Sequence, residues 1–360
     1  IYIKVIDIIM KNKKKIFTSL ILAISLLNLG TITGCGSSNQ SSAEYDYTQP
    51  VEITNVSYDP TRELYEAYNS IFKQHWKDTT GQDVTITQSH GGSGSQARSV
   101  IEGNEADVVT LALEYDITAI EQAGLIDSGW QNEFDLDSAP YTSTIVFLVR
   151  KDNPKDIQDW DDLVKDGIGV ITPNPKTSGG ARWNYLGAWA YANEKFNGDE
   201  TQIEDFIGKL YKNVLVLDSG ARGATTTFVE NGQGDVLIAW ENEAYLTLEE
   251  YPDQYEIVSP SISVLAQPSV AVVDEVVDNR NTREVSHEYL EYLYSDEAQE
   301  IIGENYYRPT NQEILNKFSD TFDLSMKLVN INDDIFGGWD AVHEKHFADG
   351  GVFDQIYEVN

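Results

Sequence analysis

Short apolar runs alternate with amphipathic stretches along the chain from Val51 onward. Parallel strands need a crossover connection between them, and an amphipathic helix is the usual one. The alternation therefore predicts an α/β fold in which mainly parallel sheets are flanked by helices. The predicted strands are residues 51–57, 83–88, 106–111, 144–150, 168–171, 214–217, 236–240 and 269–273. The predicted helices include residues 60–76, 93–102, 178–193, 201–212, 222–231 and 283–294.

The length of the chain, 360 residues, favours two domains. Residues 141–150 and 267–273 are both strand-like and lie about one domain apart along the chain. This spacing suits two crossings, in which the chain passes from one lobe to a second lobe and then returns. We predict that lobe one comprises residues 51–140 and 268–360 and that lobe two comprises residues 141–267.

The chain is strongly acidic, with 59 Asp and Glu against 25 Lys and Arg and a formal net charge of −34. Nucleic-acid binding needs a basic face that releases counterions from the phosphate backbone, so this class of partner is excluded. The charge also argues against adhesion of the protein surface to anionic lipid. A cationic ligand is one alternative, but net charge acts on solubility and encounter rates rather than on one cleft, so we favour a solubilising surface.

The amino-terminal segment has the features of an export signal. Met10 is a candidate start, which would leave residues 1–9 untranslated. Lysines follow Met10, and an apolar run covers residues 16–29. This run is shorter than the roughly 20 residues that a membrane-spanning helix needs, so we predict a signal peptide over residues 1–34. The sequence Ile32-Thr33-Gly34-Cys35 resembles the bacterial lipobox, which implies lipidation of Cys35 and membrane contact through the lipid anchor alone. Residues 35–50 are predicted to be a flexible polar tether.

Cys35 is also the only cysteine in the sequence. The chain therefore has no internal disulfide framework and no metal site built on thiolates.

Three loops rich in Gly and Ser each follow a predicted strand and precede a predicted helix. They are residues 89–95 (loop 1), 174–180 (loop 2) and 218–223 (loop 3). A helix N-terminus has backbone N–H groups without partners and a dipole that favours negative charge, so each loop is a candidate anion site. One such loop is more often an ordinary turn. Three at equivalent places favour a ligand site, because the loops at the carboxyl ends of parallel strands gather at one edge.

An enzyme is the main alternative from another functional class. Gly92 and Gly94 begin a match to the dinucleotide-binding fingerprint, with Glu114 about 20 residues further on, as in a dinucleotide-dependent oxidoreductase. That pattern leaves loops 2 and 3 unexplained, and an exported protein meets little dinucleotide. The loops contain no set of acid, base and nucleophile, so we expect no enzyme activity and no cofactor. The spacing of His343 and His346 does not match the helical zinc motif, so we expect no metal site.

The sequence resembles the periplasmic sulfate-binding proteins from about Val51 to about Ile356. The resemblance implies a two-lobed periplasmic binding protein fold of type II, with the ligand in the cleft between the lobes. It also implies that the protein serves the membrane permease of an ABC transporter. The motifs that carry it are NVSYDPTRELY (55–65), QSHGGSG (88–94), ADVVTLAL (106–113), SAPYTSTIVFLVRK (138–151), ITPNPKTSGGARWNY (171–185), DSGARGAT (218–225) and GDVLIAWENE (234–243).

The resemblance further implies that dehydrated sulfate is held without a counter-charge, by backbone N–H groups, a serine hydroxyl and an indole N–H. The positions that match this ligand set are Ser93 from lobe one and Ser178, Gly179, Gly180, Ala221 and Trp240 from lobe two. Trp240 can donate only through its indole nitrogen, which suits a ligand that only accepts hydrogen bonds. Core packing after a strand is the alternative role for Trp240.

Five further side chains near the loops are assigned a supporting role. They are Asp59, His90, Arg98, Arg182 and Arg222. Direct ion pairing of the arginines with the ligand is an alternative. Because the family holds its anion with dipoles, we expect the arginines to tie the loops together, and Asp59 to cap a helix and brace a loop.

Other ligands of the same fold stay open, namely thiosulfate, phosphate, molybdate and a polyamine. A polyamine site would need carboxylates and aromatic walls, whereas these loops offer Gly, Ser and Ala. Phosphate keeps a proton near neutral pH that a site made only of donors cannot accept, so we expect it to bind more weakly than sulfate. We expect the protein to be a monomer.

Overall fold

The computed structural model describes residues 45–358. The predicted signal peptide, Cys35 and most of the tether lie outside the described residues. The helices in the described part are α1 (Arg62–Thr80), α2 (Ser93–Ile101), α3 (Glu114–Gln122), α4 (Trp160–Leu163), α5 (Gly179–Lys195), α6 (Glu200–Lys212), α7 (Ala221–Val229), α8 (Glu241–Glu250), α9 (Asp274–Arg280), α10 (Arg283–Glu291), α11 (Asp296–Glu304), α12 (Gln312–Lys317), α13 (Trp339–Val342) and α14 (Val352–Glu358). None of them is long and apolar enough to cross a membrane.

Thirteen strands lie within residues 45–358. They are β1 (Val51–Tyr58), β2 (Val84–Gly91), β3 (Val108–Leu111), β4 (Tyr141–Thr142), β5 (Ile145–Arg150), β6 (Val170–Pro173), β7 (Val214–Asp218), β8 (Val236–Trp240), β9 (Tyr255–Val258), β10 (Ile262–Val264), β11 (Ser269–Val272), β12 (Arg308–Pro309) and β13 (Lys327–Val329). All four residues of β3 and all five of β8 are buried, as expected for strands covered on both faces.

Sheet one has the strand order β11-β3-β1-β2. Strand β1 runs parallel to β2 and to β3, with Val51 opposite Val84 and Tyr58 opposite Gly91. The late strand β11 closes the edge antiparallel to β3. Because β2 ends at Gly91, loop 1 and the N-terminus of α2 lie at the carboxyl edge of this sheet.

Sheet two has the strand order β7-β6-β8-β5-β9. Strand β6 is parallel to both β7 and β8, whereas β5 is antiparallel to β8 and β9. Loops 2 and 3 follow the parallel strands β6 and β7 and lead directly into α5 and α7. Sheet two therefore presents two helix N-termini at the same carboxyl edge.

The carboxyl-terminal part of the chain packs on the side of sheet two. Strand β13 pairs in parallel with β10, and α14 packs against α6. The buried rings of Trp339, Phe347 and Phe353 belong to the same core as Trp183 and Tyr185 of α5. The structure therefore divides the range 268–360 that the sequence assigned to lobe one, because β11 joins sheet one while β13 and the helices after it join the other side.

A left-handed turn precedes the first crossing between the sheets. Leu136, Asp137 and Ser138 all have φ near +57°, a region that costs residues with a side chain roughly 1–2 kcal/mol each. The Ser138 hydroxyl holds the turn by donating to the Trp130 carbonyl (2.8 Å). The side chain of Leu136 is 57% exposed, so no burial offsets its backbone strain.

Candidate functional site

The three loops meet at one place, and glycines make the approach possible. A Cβ atom placed on Gly92 of loop 1 would lie 2.6 Å from the Thr177 carbonyl oxygen of loop 2 and 3.3 Å from the Ser219 carbonyl oxygen of loop 3. Distances under 3.0 Å are not compatible with a real side chain, so only glycine fits. Loop 1 of sheet one is therefore in contact with both loops of sheet two.

Loop 2 makes two further close contacts. A Cβ atom on Gly179 would lie 2.9 Å from Ser93 Cβ, and one on Gly180 would lie 2.6 Å from Trp240 Nε1. In loop 3, a Cβ atom on Gly220, the residue before Ala221, would overlap the carboxylate of Asp59. The predicted ligand residues are thus brought together from both sheets, although they are spread over nearly 150 positions in the sequence.

Three helices begin at this junction. Helix α2 starts at Ser93, α5 at Gly179 and α7 at Ala221. The first four N–H groups of an α-helix have no acceptor within the helix, and the helix dipole places partial positive charge at that end. The junction therefore concentrates hydrogen-bond donors without placing a cationic side chain at its centre.

Trp240 ends β8 and lies at the same junction. Its side chain is 1% exposed, and among the described residues its indole Nε1–H has no hydrogen-bond partner. The ring packs against Tyr58, with 5.3 Å between the centroids. A buried donor without an acceptor costs about 1–3 kcal/mol, so core packing alone does not account for the orientation of this indole toward Gly180.

The two serines of the predicted ligand set use their hydroxyl groups differently. Ser178 caps α5, and its Oγ accepts from the Ala181 N–H (3.3 Å), so its own proton stays available for a ligand. Ser93 donates its proton to Asp116 Oδ2 (2.5 Å) and accepts from the Ala112 N–H (3.1 Å). In this structure Ser93 therefore offers its backbone N–H rather than its hydroxyl.

Asp116 is a site-adjacent residue that sequence reasoning did not single out. It is buried in the first turn of α3, where an acidic residue has the ordinary appearance of a helix N-terminus. Burial raises the pKa of Asp116, and the positive charge of Arg182 and the hydrogen bond from Ser93 oppose this rise. Its contact with the Ser93 hydroxyl became visible only in three dimensions.

Arg98 and Arg182 each contact an atom of the loop that lies beside them. Arg98 Nη2 donates to Ser95 Oγ of loop 1 (3.2 Å), and Arg182 Nε donates to the Pro175 carbonyl of loop 2 (3.0 Å). The Arg182 contact holds loop 2 against the helix that follows it, whereas Arg98 and Ser95 both lie in α2.

Arg222 of loop 3 connects the two sides of the molecule. Its Nη2 lies 2.9 Å from both carboxylate oxygens of Glu63 on α1 and 3.1 Å from Glu243 Oε1 on α8. Glu63 belongs to the sheet-one side and Glu243 to the sheet-two side. This ion pair therefore bridges the junction next to the loops.

The remaining predicted supporting residues are His90 and Asp59. His90 Nδ1 lies 3.3 Å from the Tyr58 carbonyl oxygen, and burial lowers the pKa of this imidazole. The helix-cap role expected for Asp59 is not seen, because the 3₁₀ turn Asp59–Thr61 and α1 after it both begin without a side-chain cap. Asp59 instead contacts Gly220 of loop 3, and burial raises the pKa of its carboxyl group.

In residues 45–358, no group of three or more His, Cys, Asp or Glu side chains could hold a metal ion. Gly92 of the dinucleotide-like pattern lies against the carbonyl oxygens of Thr177 and Ser219, in loops 2 and 3.

The comparison with known families decides what kind of protein this is. The profile described as "Bacterial extracellular solute-binding protein" matches residues 53–308. This chain belongs to the bacterial extracellular solute-binding proteins. The matched range of this solute-binding protein contains all three loops, Trp240 and both sheets.

Relatives of this solute-binding protein match over nearly their full length. The sulfate-binding protein of Escherichia coli is 60% identical over 307 residues, which cover 85% of this chain and 93% of that protein. The thiosulfate-binding protein of Pseudomonas aeruginosa is 49% identical over 310 residues, 86% of this chain and 92% of that one.

Solved structures confirm the fold. The sulfate-binding protein SubI from Mycobacterium tuberculosis aligns with a TM-score of 0.74 and 32% identity, over 82% of this chain and 98% of its own. The periplasmic binding protein AfuA from Actinobacillus pleuropneumoniae aligns with a TM-score of 0.60 at 18% identity, over 86% of this chain and 97% of its own. This solute-binding protein therefore has the two-lobed type II fold predicted from its sequence.

Proposed function

We propose that this protein captures sulfate outside the cytoplasm and delivers it to the membrane permease of an ABC transporter. The sulfate-binding proteins of E. coli and M. tuberculosis, which align over most of this chain, support the proposal. One observation carries it, namely the buried indole N–H of Trp240, which lies against Gly180 and has no hydrogen-bond partner among residues 45–358. An anion that only accepts hydrogen bonds would accept from this indole N–H and from the backbone N–H groups at the starts of α2, α5 and α7.

The proposed ligand residues are Ser93, Ser178, Gly179, Gly180, Ala221 and Trp240. A hydrogen bond to a charged group contributes about 1.5–3 kcal/mol net, so about six donors supply roughly 9–18 kcal/mol. Micromolar affinity needs about 8 kcal/mol. The remainder covers the lost translational freedom of the ion and closure of the lobes.

Neighbouring carboxylates support discrimination against protonated anions. Glu241, the residue after Trp240, is held by Arg308 through two buried hydrogen bonds of 2.7 and 2.8 Å. Glu243 is paired with Arg222. Because both carboxylates are charge-paired with arginines, we propose that they do not accept a phosphate proton, whereas sulfate brings no proton that needs an acceptor.

Thiosulfate is the second candidate ligand. The P. aeruginosa relative at 49% identity is a thiosulfate-binding protein. Thiosulfate keeps the tetrahedral shape and accepts hydrogen bonds without donating any, so the same donors suit it. We propose that the protein binds and releases its anion without chemical change and without a cofactor.

Thermal unfolding in the presence of candidate ligands tests the proposal. The purified protein, residues 45–360 in sulfate-free chloride buffer, should show a raised melting temperature with sulfate and with thiosulfate, because binding to the folded state alone stabilises it. NAD⁺ at the same concentration should leave the melting temperature unchanged. A shift with NAD⁺ and none with either sulfur oxyanion would contradict the proposed function.

We also propose that Cys35 is lipidated and tethers the protein to the outer face of the membrane. The lipobox-like sequence before Cys35 supports this. Intact-mass analysis of the protein extracted from membranes should show an acylated cysteine at its amino terminus. An unmodified Cys35, or a mature protein that begins elsewhere, would contradict it.

We propose that the two lobes close on the ligand. We also propose that the protein functions as a monomer. The Arg222–Glu63 pair supports closure, because it joins the two sides beside the loops. Small-angle scattering should give a smaller radius of gyration with sulfate than without it. An unchanged radius at saturating sulfate would count against closure.

A further inference from the structure

Lys176 belongs to loop 2 but points away from the junction of the three loops, toward the end of the chain. Its backbone N–H donates to Asn174 Oδ1 (2.9 Å), which fixes the start of the loop. Its ammonium group donates to the carbonyl oxygens of Phe347 (3.0 Å) and Ala348 (3.3 Å) and to Asp354 Oδ2 (2.8 Å). All three acceptors of Lys176 lie in the C-terminal segment, residues 339–358.

The two carbonyl groups that accept from Lys176 lie at the C-terminus of a helix, where a positive charge is favourable. Phe347 is the last residue of a π-helix, His343–Phe347, that continues from α13. The last carbonyl groups of a helix lack partners and carry the negative end of the dipole, so an ammonium group is favourable there. Lys176 therefore fills a specific position and is not a solvated surface lysine.

Asp354 fixes the other side of this contact. Its carboxylate also accepts from the Gly350 N–H (2.8 Å), which holds the turn before α14. Partial burial alone would raise the pKa of Asp354, but the hydrogen bonds from Lys176 and Gly350 outweigh it and the pKa is lowered. About three-quarters of each side chain is buried, since 27% of Lys176 and 25% of Asp354 is exposed to solvent.

The same segment contacts the other end of loop 2. Arg182, which donates to the Pro175 carbonyl, lies over the ring of Phe347 with 5.2 Å between the guanidinium carbon and the ring centroid. Trp339 packs edge-on against Trp183 at 4.8 Å. Residues before and after Gly179 and Gly180 are thus attached to one segment.

We propose that Lys176 and Asp354 are positioning residues for the anion site, and that the C-terminal segment holds loop 2 in the conformation that aims its N–H groups at the ligand. This inference rests on the proposed function. Neither side chain contacts the ligand, so both act through the loop. Loss of the pair leaves loop 2 free to adopt other conformations, and the anion then binds with the added cost of ordering it.

The variant Asp354→Asn separates positioning from simple attraction of the anion by Lys176. It keeps the ammonium charge and removes a negative charge, so long-range electrostatics alone predicts unchanged or tighter sulfate binding. The positioning role predicts weaker binding, by about three- to tenfold, a size typical of residues that act on a site through packed neighbours. Calorimetric titration with sulfate measures the difference.

An ion pair outside loop 2 and the C-terminal segment supplies the matched control. Lys77 of α1 lies 2.8 Å from the carboxylate of Asp83. Lys176→Met should weaken sulfate binding and speed its release, whereas Lys77→Met, with the same change of charge, should leave both unchanged. Lys176→Arg should restore most of the affinity, because a guanidinium group can serve the same acceptors.

The outcomes distinguish this inference from the function on which it rests. If the wild-type protein does not bind sulfate, the proposed function fails. If the wild type binds sulfate and Asp354→Asn binds it equally well or more tightly, only the positioning role is overturned. Should Lys176→Met fail to fold, Asp354→Asn, which is nearly isosteric, still decides the question.

Discussion

Replacing Trp240 with Phe removes one hydrogen-bond donor and keeps most of the aromatic volume at the junction of the loops. The indole Nε1–H is buried and has no partner among residues 45–358. If it donates to a bound anion, its loss costs about 1.5–3 kcal/mol of binding energy. With about 1.4 kcal/mol for each factor of ten, sulfate should bind about ten- to hundredfold more weakly.

The stability of the ligand-free protein should be much less affected than its affinity for sulfate. Because the Trp240 N–H has no acceptor in the part of the chain that the structure describes, Trp240→Phe removes no hydrogen bond seen there and relieves a buried unpaired donor. Packing against Tyr58 is largely retained. The melting temperature without ligand should therefore change little.

Trp160 provides the matched control. It is also fully buried, but its Nε1 donates to the Ile262 carbonyl at 2.8 Å. Trp160→Phe should lower the melting temperature and leave sulfate affinity nearly unchanged. Calorimetry in chloride buffer together with thermal unfolding measures both quantities. Wild-type affinity in Trp240→Phe, or a loss of stability equal to that of Trp160→Phe, would refute the assignment of this indole as a ligand donor.

Three further perturbations test other parts of the structure. Gly180→Ala should abolish measurable sulfate binding in calorimetry, because its Cβ would lie 2.6 Å from Trp240 Nε1; retained affinity would show that the loop has room there. Burial lowers the pKa of His346 to about 3. Between about pH 3 and 6.5 the unfolded state therefore binds more protons than the folded state. The free energy of unfolding should fall as the pH drops through that range, by up to about 1.4 kcal/mol per pH unit. His346→Gln should remove that contribution from the pH dependence of urea unfolding, and an unchanged profile would contradict it. Leu136→Asn should stabilise the protein by about 1 kcal/mol in urea unfolding, because Asn tolerates the left-handed region better than Leu; a loss of stability would show that Leu136 makes a contact that outweighs its strain.

The local pattern of the sequence was sufficient for most of the elements that build the site. Each of the eight predicted strands is present, and the strand 236–240 has the predicted ends. Continuous apolar runs and the Gly and Ser residues after them are short-range signals, so they report on strand, turn and helix start together. The same signals placed loops 1, 2 and 3 at helix N-termini.

Long-range contacts carry no comparable signal. The pairing of β10 with β13 joins residues more than sixty positions apart through strands of three residues. Such short strands have no periodicity to read. The position of the C-terminal segment against α5 and α6 was therefore not predicted, and neither was its contact with Lys176.

The sequence suggested the roles of some side chains at the site and gave no sign of others. The family resemblance pointed to Trp240 as a ligand residue, which stays a prediction, whereas Asp116 looked like any acidic residue in a first helical turn. The expected cap at Asp59 was wrong because α1 begins only at Arg62, after a separate 3₁₀ turn. Pro60 indicated that helical structure starts here, but it did not indicate that a 3₁₀ turn comes before the α-helix.

The central claim is that the three loops form an anion site made only of hydrogen-bond donors. Competition calorimetry tests it most directly, with the sulfate-loaded protein titrated with phosphate at pH 7. A site built on hydrogen-bond matching rejects a mismatched ligand by factors of about 10⁴–10⁵, so millimolar phosphate should leave the apparent sulfate affinity unchanged. Phosphate that displaces sulfate on equal terms would show that a carboxylate such as that of Asp59 accepts the phosphate proton, and would contradict the claim.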